Sequence, residues 1–200
     1  MQYKKLSHLM LWAGFLSGLF YSASYPFIYA ETLKAVTKGY ISFETIVSCI
    51  GSFVFCGIWN KYSDKLFRGY RIILWTEIAA DIFLFGYVLL TGNLKGYFVL
   101  NVLIYAIITK NLACGGTKMR AKVNPTEKLR ERYDNNSNIV ASAAALTGAG
   151  IALVYPFSLK MLFVFALVGN IIDNFFYLYI YSKIIRRTYG ITDINTKKNK

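Results

Sequence analysis

The chain has 200 residues, 56% hydrophobic and 16% charged, with a formal net charge of +13. Soluble domains carry about 25% charged residues, and one domain's length offers too little interior for this much apolar surface. The positive charges stand between apolar runs and form no continuous stripe, which argues against a nucleic-acid binder and for a multi-pass membrane protein.

A membrane helix needs about 20 mostly apolar residues. Six windows meet this: 9–30, 41–60, 72–91, 97–112, 138–155 and 161–182. The fourth is the shortest. The first is too long for a secretory signal, and no small-residue cleavage pattern follows it, so it is expected to remain as a membrane helix. The expected fold is therefore all-α, with a six-helix transmembrane domain over residues 1–187 and a polar tail over 188–200.

The first window carries Ser17, Tyr21 and Ser24 on one helical face before Pro26, which loosens that end of the helix. The connection over residues 31–40 is the longest on its side and begins in helical style. In the second window Ser48, Ser52 and Cys56 recur every four residues. The third holds Glu77 and Asp81, four apart and so on one face. Asp81 lies about 15 Å into its span, near mid-membrane. Thr91-Gly92-Asn93 is turn material and predicts a tight hairpin between the third and fourth helices. The fourth window has a polar face of Asn101, Tyr105 and Thr109.

The segment between the fourth and fifth windows is the largest polar piece. Asn124-Pro125-Thr126-Glu127 reads as an N-cap, a first-turn proline and an acid, and predicts a short surface helix over residues 125–132. The fifth window has Ala141, Ala145 and Ala149 on one face and Ala144, Gly148 and Ala152 on the next, a pattern that lets backbones approach closely. Residues 155–158 predict a second tight hairpin. The sixth window carries Asn170, Asp173, Asn174, Tyr177 and Tyr181 on one face.

Lys and Arg stay on the cytoplasmic side of short loops. Lys4 and Lys5, the segment 61–71, the segment 110–132 and the residues from Lys183 onward hold 19 of the 23 basic residues. Lys34, Lys38, Lys95 and Lys160 are the 4 on the other side. Both termini are thus expected to be cytoplasmic, in a chain of the cell membrane drawn to anionic headgroups.

A charge at the bilayer centre costs roughly 2.5 to 3.5 kcal/mol on insertion scales. Glu77, Asp81 and Asp173 therefore call for a reason, and no Lys, Arg or His falls inside the spans at their depth. One reading is a proton- or cation-coupling site. The other is a set of neutral acids hydrogen-bonded between helices.

The stretch Gly57-(x)6-Asp64-Lys65-Leu66-Phe67-Arg68 resembles the loop between helices 2 and 3 of the major facilitator superfamily, Gly-x-x-x-Asp-Arg/Lys-x-Gly-Arg-Arg/Lys. Asp64, Lys65 and Arg68 match it, Ser63 is a common neighbour, and Asn60 and Phe67 stand where the family has glycine. The run 131–136 leading into a small-residue helix resembles the family's entry to helix 5. The resemblance implies the amino-terminal six-helix half of such a transporter. It implies that Asp64 with Lys65 or Arg68 forms a conformational latch, and that helices 1 and 4 line a cavity with Ser17, Tyr21, Ser24, Asn101 and Tyr105. It also implies that helices 3 and 6 are supports, and that 2 and 5 meet a partner bundle.

The function expected is transport by a half-size carrier, acting as a homodimer or with a second six-helix chain, on a substrate the sequence does not name. The alternatives are a six-helix small-molecule binding subunit of an uptake system and a non-transporting membrane interaction or immunity protein. No enzyme is expected, because the chain has one histidine and no Ser/His/Asp set. No cofactor or metal is expected either, since Cys49, Cys56 and Cys114 lack ligand spacing.

Overall fold

A computed structural model describes residues 2–189, and the expected tail lies almost wholly outside them. Six helices account for nearly every described residue: α1 (Gln2–Ala35), α2 (Lys38–Arg68), α3 (Tyr70–Thr91), α4 (Leu94–Val123), α5 (Glu127–Val154) and α6 (Leu159–Tyr189). In all but α1 they are long and apolar enough to cross a membrane. α1 is the longest at 34 residues but is diluted by Ser17, Tyr21, Ser22, Ser24, Tyr25 and Pro26, and it runs through Pro26 without ending.

Two expected loops are helix instead. The basic stretch 61–68 is the end of α2, bent at Tyr62 (φ −122°, ψ 24°), and the connection to α3 shrinks to Gly69. α4 does not stop near Leu112. It continues to Val123 because the residues beyond are helix formers such as Met119, Arg120, Ala121 and Lys122. The double glycine Gly115-Gly116, an apparent break, lies inside α4, where Gly115 leaves room for the ring of Tyr70.

The separate surface helix over 125–132 does not form. Asn124 caps the end of α4, Thr126 caps α5 by accepting from the Leu129 N–H at 3.4 Å, and α5 then runs unbroken to Val154. The hairpin between α3 and α4 is as expected, with Gly92 left-handed (φ 66°) and Asn93 Oδ1 accepting from Gly96 N–H at 2.9 Å. The turn after α5 is also short, yet α5 and α6 do not form a packed pair. Both pack on α1, which lies between them.

The main packing pairs are α1 with α5 and α6, α4 with α2 and α3, α1 with α4, and α3 with α6. Four helices, α1, α3, α4 and α6, thus form the core, with α2 outside α4 and α5 outside α1. Swapping α1, α2, α3 for α4, α5, α6 leaves these main pairs unchanged. Two apolar clusters mark the two ends. One joins Leu6, Met10, Phe67, Tyr70, Met119, Tyr133 and Tyr181, at the end rich in Lys and Arg. The other joins Ile28, Phe85, Val88, Tyr97 and Phe163 at the opposite end.

Candidate functional site

The polar residues of the core meet between these clusters. Asp81, in the middle of α3, is fully buried. Tyr105 of α4 donates its hydroxyl to Asp81 Oδ1. Across the core, Asn170 Nδ2 of α6 donates to the Tyr25 hydroxyl of α1 at 3.1 Å, and Asn174 Nδ2 donates to the Asn170 carbonyl at 3.0 Å. The second oxygen of Asp81 finds no donor among the described residues. Each core helix therefore contributes to one polar centre, in which the tyrosine of α4 donates and that of α1 accepts.

A cavity of about 400 Å³ reaches from the polar centre toward the basic end. Glu77, Asp173 and Asn174 form its inner polar wall. Gly14 of α1 and Gly116 of α4 expose bare backbone to it, and Tyr133, Ser137 and Ala141 close it from α5. Arg120 also lines it, which supplies the cation that the sequence had placed in a loop. Arg120 Nη1 lies 3.6 Å from Asp134 Oδ1, so an ion pair joins α4 to α5, two helices that are not packed together. This pair is exposed on both sides and can open at little cost.

The latch residues find an unexpected partner. Lys118 of α4 donates to Asp64 Oδ1 at 2.7 Å and to Ser63 Oγ at 2.7 Å. Lys118 and Lys122 both stand over the ring of Phe67, at 5.8 and 5.6 Å from its centroid. Phe67, where the resembled family has glycine, thus serves as a platform for two lysines. Lys118 holds the exposed Asp64 carboxyl below the usual carboxylate range, first by its hydrogen bond and then by its charge. Lys65 and Arg68 face outward on the same last turns of α2.

The structure gathers some of the expected residues and separates others. Asp81 and Tyr105 are bonded to each other, while Glu77 and Asp173 share the cavity. Ser24 is buried, but its hydroxyl is spent on the Phe20 carbonyl one turn back at 2.6 Å. Tyr21 points outward and stacks on Tyr25 at 4.5 Å. Ser17 and Asn101 are half-buried, and neither lines this cavity. On α1 its wall is Met10, Leu11 and Gly14 instead. Lys118 and Arg120 were hidden by ending the fourth span at Leu112. The four-residue rhythm of Cys114, Lys118 and Lys122 was the available signal that the helix goes on.

No family model, no curated protein and no solved structure matches this chain.

Proposed function

We propose that the protein is a half-size membrane carrier of the major-facilitator kind, working as a homodimer or with a second six-helix chain, in the cell membrane with both termini cytoplasmic. The observation that carries this reading is the cavity that brings Glu77 and Asp173 within reach of the basic end. Acids at membrane depth that border an open cavity are the parts a proton- or cation-coupled carrier needs. The packing order supports the same reading. α1 begins at the basic end and α4 finishes there, so the exchange that preserves the packing also inverts the direction, which is the plan of an inverted repeat. Arg120 with Asp134 on one side and Lys118 with Asp64 on another are the ion pairs that would part as the basic end opens or tightens.

Alternating access is the test, and it needs no known substrate. Ser137→Cys, in a protein freed of Cys49, Cys56 and Cys114, places a thiol on the cavity wall. In a carrier, a membrane-impermeant thiol reagent reaches it from both faces of sealed vesicles. Asp81→Asn is expected to reduce labelling from one face to background while the other remains. Labelling from one face alone in the parent protein would favour a binding or interaction protein.

A further inference from the structure

The seam between α1 and α5 at the basic end shares Leu11, Tyr133 and Val140 with the wall of the cavity above but none of its acids. Both helices start at this end and run in the same direction. Lys4, His8 and Trp12 follow each other at four-residue steps on α1, as do Arg132, Asn136 and Val140 on α5. Residues four apart share a helix face, so the seam is framed by two parallel rows that change from charged, through polar, to apolar with depth. Near the end, Lys4, Ser7, His8, Asn124, Arg132 and Asn136 line a pocket of about 310 Å³. Deeper, His8, Leu11, Trp12, Phe15 and Val140 line a groove of about 330 Å³ whose wall is almost wholly apolar. His8 and Leu11 border both, so pocket and groove are one continuous surface. Lys4 and Arg132 are exposed, and among the described residues neither has a carboxylate within ion-pair distance.

We propose that this seam binds one anionic phospholipid, with its phosphate between Lys4 and Arg132 and one acyl chain along Trp12, Phe15 and Val140. The arginine fork matches two phosphate oxygens, and the lysine adds a point charge. Ser7 and Asn136 offer hydrogen bonds at the level of the glycerol oxygens. Lys4 to Phe15 spans about 16 Å of helix, close to the ~20 Å depth of one leaflet with its headgroups. A zwitterionic lipid brings its own ammonium to two cations and is disfavoured. A soluble phosphate compound leaves the apolar groove without an occupant.

Trp12 is the reporter. With Trp59→Phe and Trp75→Phe it is the sole tryptophan, and the full chain is placed in bilayers containing brominated phosphatidylglycerol or brominated phosphatidylcholine. Each basic residue near a membrane surface is worth about fivefold in affinity for anionic lipid. Half-quenching of Trp12 by the anionic lipid is therefore expected at about 25-fold lower mole fraction. Lys4→Gln and Arg132→Gln should each remove about fivefold of that preference. A protein keeping only Trp75, whose ring meets Phe175 away from the seam, should show no preference. Equal quenching of Trp12 by both lipids would overturn the proposal, as would a preference that survives the double substitution. Displacement of the brominated lipid by soluble glycerol phosphate would show a site for soluble phosphate instead and overturn it too. Should the substituted proteins fail to fold, added salt in the parent bilayer must weaken the preference, and a salt-independent preference would count against the site equally.

Discussion

The four core helices and the two outer ones solve the membrane problem in opposite ways. α3 turns Leu74, Ile78, Asp81, Leu84, Phe85 and Val88 inward and packs on α4 and α6. α2, equally apolar, leaves most of its length uncovered, with Ile46, Ile50 and Phe53 exposed, the last at 87%. α5 does the same with Ile139, Leu146 and Leu153. In lipid an apolar side chain gains nothing by turning inward, so packing quality and polar contacts decide which face is buried. The core keeps its polar groups, while each outer helix sets one glycine, Gly51 of α2 and Gly148 of α5, against a neighbour's backbone. A Cβ on Gly148 would run into the Leu19 carbonyl and come within 3.0 Å of the Ala23 nitrogen. The Ala144, Gly148 face of α5 therefore belongs to the contact with α1. Of the two small-residue faces of α5, the one with Ala145 and Ala149 stays exposed.

The sharpest way to break this contrast is at the close-packed glycines. Gly115→Val would drive a side chain into the Tyr70 ring, which stacks near Phe67 and donates to the Leu112 carbonyl at 2.9 Å. Overpacking costs about 1 to 3 kcal/mol and occasionally more, and the upper end is expected because the ring is packed against Trp59, Phe67 and Tyr181. Gly148→Leu should act in the same direction on the contact between α1 and α5. Ala145→Leu, one turn away on the exposed face, should leave thermal unfolding in detergent unchanged. If it instead weakens association of intact chains, the partner surface on α5 is located. Equal destabilisation by all three would erase the distinction between core-facing and partner-facing residues.

A smaller effect belongs to the polar centre. Tyr105→Phe removes the hydroxyl that Asp81 Oδ1 accepts and leaves a fully buried acid without its partner. Hydrogen bonds between membrane helices average about 0.6 kcal/mol and reach about 1.7, so the loss in a thermal or denaturant titration should lie within that range. Asn170→Leu, which removes the donor to the Tyr25 hydroxyl, should cost a similar amount. A clearly unequal pair would mean that the donating and the accepting tyrosine differ in what they contribute to the core.

How far the sequence leads differs between these same regions. Apolar windows of membrane length located all six helices, and Gly92-Asn93 located a turn, because both signals are local. The mid-span depth of Asp81 was legible in the sequence, whereas its burial comes from the packing of α3 on α4 and α6. Helix ends were less visible, since beyond Leu112 the apolar signal stops while the helix, made of Lys, Met, Arg and Ala, does not. That single misplacement hid Lys118 and Arg120, and with them the partner of Asp64 and the cation of the cavity. The inward face of α5 was also ambiguous. A stripe of small residues permits a close approach without naming the neighbour, and only the tertiary arrangement selects α1.

The smallest expected effect lies where α2 touches the core, at Asp64 and Lys118. Asp64 is mostly exposed, so its contact with Lys118 is screened by water and salt and contributes little to overall stability. Its consequence is positional, because it ties the last turns of α2, beyond the bend at Tyr62, to α4. The sign of the pH dependence follows from the lowered carboxyl. A depressed folded-state value means that the contribution is full above the ordinary carboxylate range and is lost as pH falls through the folded value. Spin labels at Lys65 and Thr117, with the native cysteines removed, would report the distance between α2 and α4. Asp64→Asn should broaden that distance distribution at neutral pH, and acidification to well below the ordinary carboxylate range should do the same in the parent protein. Lys61→Ala, on the far side of the bend and without a part in this ion pair, should leave the distribution narrow. If Lys61→Ala broadens it as much as Asp64→Asn, general electrostatics at the membrane surface would hold the end of α2, and the specific tie to Lys118 would not.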